Sequence, residues 1–364
     1  PALQYTHGVP QQYNPCPQEA DVWILAGQSN MQGAGRTPDT ITHPHIWMMN
    51  MDDLWSVAKT PLHRIFEAKA PAYAISSFEL SGDPEKSLEK TLDYFKEKAE
   101  ISRYKPIGGT GPGIYFARHL HENTGQDIGL IPCALGGSTI DQWDPNHSRS
   151  GDSCLYGAML KRIQSTGGHQ IKGLIWYQGE SEAMLGIPES YETKLLALID
   201  AIRSDLEKPE LPIMIVQIGR LITQNPLMAK DWEAIREIQR QIVKKRPNLY
   251  LTSGIDLELD DVAHLSTQSN QVLGMRLGEI ALTHIYEKPG HANQPSPQSI
   301  ELKQDSRSGS PYLHLHYKDV NGKLKAVGKP GAFELRIGDQ TPFAHVISHV
   351  ALDPNDPAGL RLFL

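Results

Sequence analysis

Five short stretches of this chain are apolar at almost every position: VWILAG (22–27), IGLIPCALGG (128–137), IKGLIWYQGE (171–180), LPIMIVQIG (211–219) and LYLTSGID (249–256). Runs of this length, apolar on both faces, predict strands of a parallel sheet covered on both sides. Between them the apolar positions recur with helical period over 113–125, 154–168, 190–206 and 229–247. The alternation predicts an α/β fold, a sheet of βαβ units layered by helices on both faces.

Residues 37–107 break the rhythm. They are rich in Pro, Met, Trp and charge, and read as an insertion over the sheet edge or over the site. A Pro/Gly/Asn stretch at 289–299 reads as a linker. Beyond it, side chains alternate with period two around Asn321-Gly322, a hairpin signal, and AFELRIG (332–338) and GLRLFL (359–364) read as further strands. The predicted organisation is an N-terminal extension at 1–20, a main domain at 21–288 carrying the 37–107 insertion, and a linker with a small all-β domain at 289–364.

At 364 residues the chain exceeds what one core usually organises, in keeping with a large and a small domain. A net charge of -7 excludes a polyanion, and with it a nucleic-acid partner; a small or neutral substrate fits better. No apolar run reaches 18 residues, so no membrane span is expected. The chain opens on Pro1 without a charged-then-apolar leader, and the expectation is a secreted or periplasmic protein whose signal peptide has been removed. Of the three cysteines, Cys133 and Cys154 read either as a disulfide across a loop or as two buried thiols.

In open α/β sheets ligands bind where the strands end at their carboxyl side. Four of the five predicted strand ends carry chemistry: Gly27-Gln28-Ser29-Asn30, Gly136-Gly137-Ser138, Gln178-Gly179-Glu180, and the segment after the last strand, with Asp261 and His264. A serine hydroxyl needs a base within hydrogen-bond reach and a third group to hold that base's tautomer. Ser29, His264 and Asp261 supply this set. The backbone N–H groups of Ser29 and Gly137 and the Gln178 amide are the candidate oxyanion donors. Each residue also has a plain reading: Ser29 as a helix N-cap, the glycine pair as a turn, Gln178 and Glu180 as a polar strand end. Their ordered placement at strand ends is what favours acyl transfer.

Other motifs point elsewhere less well. GGTGPG (108–113) follows a poor core strand and reads as a helix start. His43 with His45, and His314 with His316, have no carboxylate or thiol set beside them in sequence, so surface or sheet positions explain them and neither metal nor cofactor is expected. No G-x-S-x-G elbow is present, which argues against the common α/β-hydrolase fold.

Taken together, AGQSNM, GGSTIDQW, WYQGES and DDVAHLS resemble the SGNH hydrolase superfamily, in its branch of sialate O-acetylesterases and acetylxylan esterases (carbohydrate esterase family 6), over roughly residues 21–287. The resemblance implies a flavodoxin-like three-layer α/β/α sandwich with a parallel sheet. It implies a metal-free enzyme that removes O-acetyl groups from a sugar or polysaccharide through an acetyl-serine. By position, Ser29 matches the nucleophile, Gly137 the second-block glycine, Gln178 the residue standing where the superfamily has asparagine, and Asp261 and His264 the final pair. Gln28 and Glu180 are further candidates for contacts with substrate. Arg36 or Arg149 would suit a sialic acid carboxylate, and Trp143 an aromatic platform for a neutral polysaccharide. The alternatives are a short-chain lipase or thioesterase on the same scaffold, and a carbohydrate-binding protein without activity.

Overall fold

The computed structural model describes residues 16–364 apart from 37–39, 82–86, 103–106, 148–150, 167–169, 293–294, 327, 332, 334 and 336–345. In chain order the first unit contains β1 (Asp21–Gly27), α1 (Ser29–Gln32), β2 (Thr42–Met49), β3 (Trp55–Lys59), α2 (Ala72–Ser81), α3 (Leu88–Ser102), α4 (Gly113–Thr124) and β4 (Ile128–Pro132). It continues through α5 (Leu155–Gln164), β5 (Gln170–Tyr177), α6 (Glu180–Leu185), α7 (Tyr191–Asp205), β6 (Ile213–Gln217), α8 (Pro226–Ile242), β7 (Leu249–Ser253) and α9 (Thr267–His284). Two compact units result, divided between Glu287 and Lys288.

Seven strands form one sheet in the order β3-β2-β4-β1-β5-β6-β7, all parallel except β3. The five apolar stretches are β4, β1, β5, β6 and β7, a flavodoxin-like run in which the second strand lies to one side of the first and the rest to the other. β1 is fully buried along its length, with Trp23 edge-on to Phe116 of α4 at 4.9 Å between centroids. α4 packs against α9 and α7 against α8, and the right-handed crossover rule for parallel strands assigns α4 and α9 to one face and α5, α7 and α8 to the other. The sheet reverses its winding around β1 and β5, and ligand crevices form at the carboxyl side of such a reversal.

Residues 37–107 do more than lie over the sheet. β2 pairs in parallel with β4, Ile46 beside Ile128, and β3 closes that edge in the antiparallel sense. The inner end of β2 is held by the buried Arg162 of α5, whose guanidinium donates to the carbonyls of Met49 (2.9 Å) and Asn50 (3.1 Å) and pairs with Asp53 at 2.9 Å. No disulfide joins Cys133 and Cys154: Cys133 is buried, and Cys154 caps α5 by accepting from Gly157 N. No helix of the described residues is long and apolar enough to cross a membrane.

The second unit is a four-stranded antiparallel sheet of β8 (Ser296–Gln304), β9 (Pro311–Lys318), β10 (His349–Leu352) and β11 (Gly359–Phe363), in the order β10-β11-β9-β8. Its hairpin is not at Asn321-Gly322, which lies beyond the end of β9 and, among the described residues, joins no pair of strands. The turn falls between β8 and β9, where Asp305 Oδ1 accepts from the backbone N–H of Arg307 (3.0 Å) and Ser308 (2.9 Å) and Gly309 takes a positive φ of 74°. GLRLFL forms β11, whereas most of AFELRIG lies outside the described residues, and Phe333 and Leu335 are not in a strand.

β1 ends on glycine for a steric reason. Gly27 sits at φ +130°, and a Cβ there would lie 2.1 Å from the Tyr177 carbonyl oxygen on the neighbouring strand. Gly27→Ala is therefore expected to destabilise the chain by about 3 kcal/mol or more, read as the shift in urea midpoint, since both backbone strain and a backbone clash act against it. A loss under about 1 kcal/mol would show that β1 and β5 separate easily at this point.

Candidate active site

The chain leaves β1 still paired with β5, Gln28 N donating to Tyr177 O at 2.9 Å, and then winds into the single turn α1. Ser29 is the first helical residue rather than the cap, and its hydroxyl is not used to cap anything. It is placed 2.9 Å from His264 Nε2, and His264 Nδ1 lies 2.6 Å from Asp261 Oδ2. Asp261 also accepts from its own loop: Oδ1 takes the N–H groups of Ala263 (2.9 Å) and His264 (2.8 Å). Burial pushes its carboxyl up, but these two backbone donors and the imidazole outweigh that and bring it down to about 2. Asp261 is thus ionised across the range in which an imidazole titrates, and fixes the proton of His264 on Nδ1.

Asn30, the residue after the serine, holds the histidine loop in place. Its amide Nδ2 donates to Ala263 O at 3.2 Å and its Oδ1 accepts from Leu265 N at 3.0 Å, so one buried side chain grips the backbone on both sides of His264. The same Nδ2 donates to Glu180 Oε1 at 2.8 Å. Glu180 is 2% exposed and, among the described residues, its Oε2 has no hydrogen-bond partner. Burial pushes its carboxyl up to about 7, against the opposing effects of the Asn30 bond and of His264. The sequence showed Asn30 only as part of a motif; nothing in its residue type reveals that it reaches across 235 positions.

The glycine pair after β4 borders the serine. Gly136 N donates to Gln32 Oε1 of α1 at 2.6 Å, and a Cβ on Gly136 would lie 3.4 Å from Ser29 Cβ. Gly137 is exposed at φ +76°, with only Leu80 Cδ1 near the place a Cβ would take. Among the described residues, the N–H groups of Ser29 and Gly137 donate to no backbone or side-chain acceptor.

Four expected site residues are placed differently. Gln178 is fully buried, and its amide donates to Ser138 O (3.2 Å) and Glu182 Oε2 (2.5 Å), which uses both its N–H groups away from Ser29. Gln28 is 3% exposed and its Oε1 accepts from the N–H groups of Gly179 (3.4 Å) and Ser181 (3.3 Å), bracing the turn into α6. Trp143 is no platform: it is completely buried, donates to Ser138 Oγ at 3.1 Å and stands edge-on to Trp176. Glu180, as described, lies beneath the site rather than in its mouth. Each is a large or amphipathic side chain in a polar motif, and the motif alone does not tell which side of the turn it faces.

Arg36 is exposed and sits at the rim, tied by its backbone to the histidine loop: its N–H donates to Asp260 Oδ2 at 3.4 Å and its carbonyl accepts from Thr267 Oγ1. Arg149 lies outside the described residues.

Residues 19–283 match the sequence profile of a family described as carbohydrate esterase, sialic acid-specific acetylesterase. A probable carbohydrate esterase from Arabidopsis thaliana is 28% identical over 300 residues, covering 76% of this chain and 95% of that protein. Human sialate O-acetylesterase is 22% identical over 78% of this chain, which spans only 57% of the human enzyme. A solved structure of a carbohydrate acetylesterase from Xanthomonas citri shares the fold, with a TM-score of 0.57 at 19% identity over 94% of this chain and 71% of that one. These matches carry the sialate O-acetylesterase side of the resemblance and not the label of carbohydrate esterase family 6. The reading as a binding protein without activity falls with them. The chain belongs to the sialic acid-specific acetylesterase family and is a carbohydrate esterase.

Proposed function

We propose that this enzyme removes O-acetyl groups from sugars through an acetyl-serine on Ser29. The observation that carries the proposal is the unbroken chain from Asp261 through His264 to Ser29, at 2.6 and 2.9 Å. His264 Nε2 takes the hydroxyl proton as Ser29 Oγ attacks the acetyl carbonyl carbon, while Nδ1–H stays bonded to Asp261. The proton then passes from Nε2 to the sugar oxygen as its bond to the acetyl carbon breaks. Water, activated by the same nitrogen, hydrolyses the acetyl-serine and returns acetate.

The negative oxygen of each tetrahedral intermediate falls to the N–H groups of Ser29 and Gly137. Each such donor lowers the barrier by about 3–4 kcal/mol. Gln178, its donors engaged elsewhere, acts instead by stiffening the Gly137–Ser138 turn. With Trp143 in the core, the aromatic platform for a neutral polysaccharide loses its residue. The cationic rim contact, Arg36, remains, and it favours an acidic sugar such as an O-acetylated sialic acid.

Three outcomes are expected. Ser29→Ala and His264→Ala each lower kcat on p-nitrophenyl acetate by about 10⁴-fold or more with an unchanged circular dichroism spectrum; turnover within tenfold of the parent ends the acetyl-serine mechanism. Arg36→Gln raises KM for 9-O-acetylated sialic acid roughly tenfold, the worth of one charged hydrogen bond, and leaves p-nitrophenyl acetate hydrolysis unchanged; equal kinetics on both substrates removes the acidic-sugar reading. The third concerns Glu180. With its folded-state carboxyl raised to about 7, the folded chain keeps a proton that the unfolded chain loses near 4.5, so this residue makes stability fall as pH rises through that window. Asp261 acts with the opposite sign, but only below about pH 4. Glu180→Gln should therefore flatten the decline in urea midpoint between pH 5 and pH 7, and an undiminished slope in the variant contradicts a carboxyl that is protonated in the folded state.

A further inference from the structure

At the other end of the sheet, where the strands begin, the fold assembles a group of side chains that the sequence keeps apart. His43 and His45 lie two positions apart at the start of β2, and so share one side of the strand. His121 belongs to the last turn of α4, and Asp127 immediately precedes β4, the strand to which β2 pairs. His45 Nδ1 lies 2.8 Å from Asp127 Oδ1, across 82 positions. The rings of His45 and His121 stack at 4.6 Å with an interplanar angle of 8°, and His43 meets His121 at 5.0 Å. One ligand atom from each of His45, His121 and Asp127 falls within 4.8 Å of the other two. The carboxylate that the local sequence around His43 and His45 lacks is thus delivered by strand pairing.

From this juxtaposition we infer that His45, His121 and Asp127, with His43 beside them, form a binding site for a divalent transition-metal ion of the zinc class.

The chemistry of the set favours such an ion. Imidazoles with a single carboxylate suit Zn²⁺, Ni²⁺ or Cu²⁺ and not the oxygen-seeking Mg²⁺ or Ca²⁺. His121 is already oriented as metal-bound histidines are: Nδ1 is bonded to the Gln126 carbonyl at 2.8 Å, which places the proton there and leaves Nε2 as a lone pair. His43, two positions from His45 and with its ring 5.0 Å from that of His121, offers a further imidazole to the same ion. Of the two fixed charges that face it, Arg118 is engaged by Glu122 at 2.8 Å, and Glu122 itself favours a cation. The other histidine pair differs. His314 and His316 also meet carboxylates, Asp353 and Asp356, but Arg361 holds Asp353 at 2.9 Å and Lys303 stands 3.1 Å from His314, so that group is already neutralised by the protein's own cations.

A bound ion would join the start of β2, the end of α4 and the approach to β4. The seven residues of β1 separate this end from Ser29, on the order of 20 Å along the strand, so the ion acts on stability and not on the ester. The test is calorimetric titration of the full chain, stripped with a chelator, with ZnCl₂ at pH 7.5. One ion per chain is expected, with a dissociation constant on the order of 10 µM or tighter, and a melting temperature that rises with zinc. His121→Ala and Asp127→Asn should each weaken binding tenfold or more while p-nitrophenyl acetate hydrolysis stays at the parent rate, since both side chains are partly exposed and neither approaches the serine. His314→Ala should bind zinc as the parent does. Absence of saturable uptake by the parent, or parent-like affinity in the His121 and Asp127 variants, overturns the site.

Discussion

The histidine of this enzyme is set by the grip of one buried amide. Asn30 donates to the carbonyl before His264 and accepts from the N–H after it, and it is itself the residue next to Ser29. Ser29 and His264 therefore share a mount: any drift of α1 carries the histidine loop with it. A neutral amide suits this task, because it donates and accepts at once, and each of its bonds replaces one to water at little electrostatic cost. The charged neighbour, Glu180, is tolerated beneath it only by keeping its proton to near neutrality.

This mount depends on the winding of the sheet. β1 and β5 run side by side at the reversal of strand order, and their carboxyl ends deliver Ser29 and the Gln178–Glu180 corner to one place. The crossing is tight enough that only a glycine fits at position 27. The polar residues around it, Gln28, Gln178 and Glu182, bind mainly to backbone groups of the turns, which would otherwise be buried without partners. An uncharged corner thus follows an apolar strand because its side chains serve as scaffold for the loops.

Much of this was legible in the residues. Five strands could be read because a sheet covered on both faces makes every position apolar, and the order of Ser29, Asp261 and His264 suggested the proximity that their side chains have. What stayed hidden had physical causes. β2 is exposed over its first half, and β3, the edge strand, buries Ser56 and Ala58 rather than large apolar side chains, so neither shows a clear hydrophobic pattern. Trp143 and Gln178 face inward, although tryptophan and glutamine beside a catalytic motif suit a substrate surface equally well. The hairpin turn at Asp305 is held by side-chain bonds to Arg307 and Ser308 that are not visible in composition. Asp127 gives no sign of His45, since a pairing between strands 82 positions apart leaves no local trace.

The edge strands carry one more implication. β2 and β3 come from an excursion between the first two strands of the five-stranded core, yet they cover the flank of β4 and are fastened by Arg162. Shortening that excursion to obtain a minimal catalyst would uncover a row of backbone donors and acceptors along β4 and strand a guanidinium in the interior.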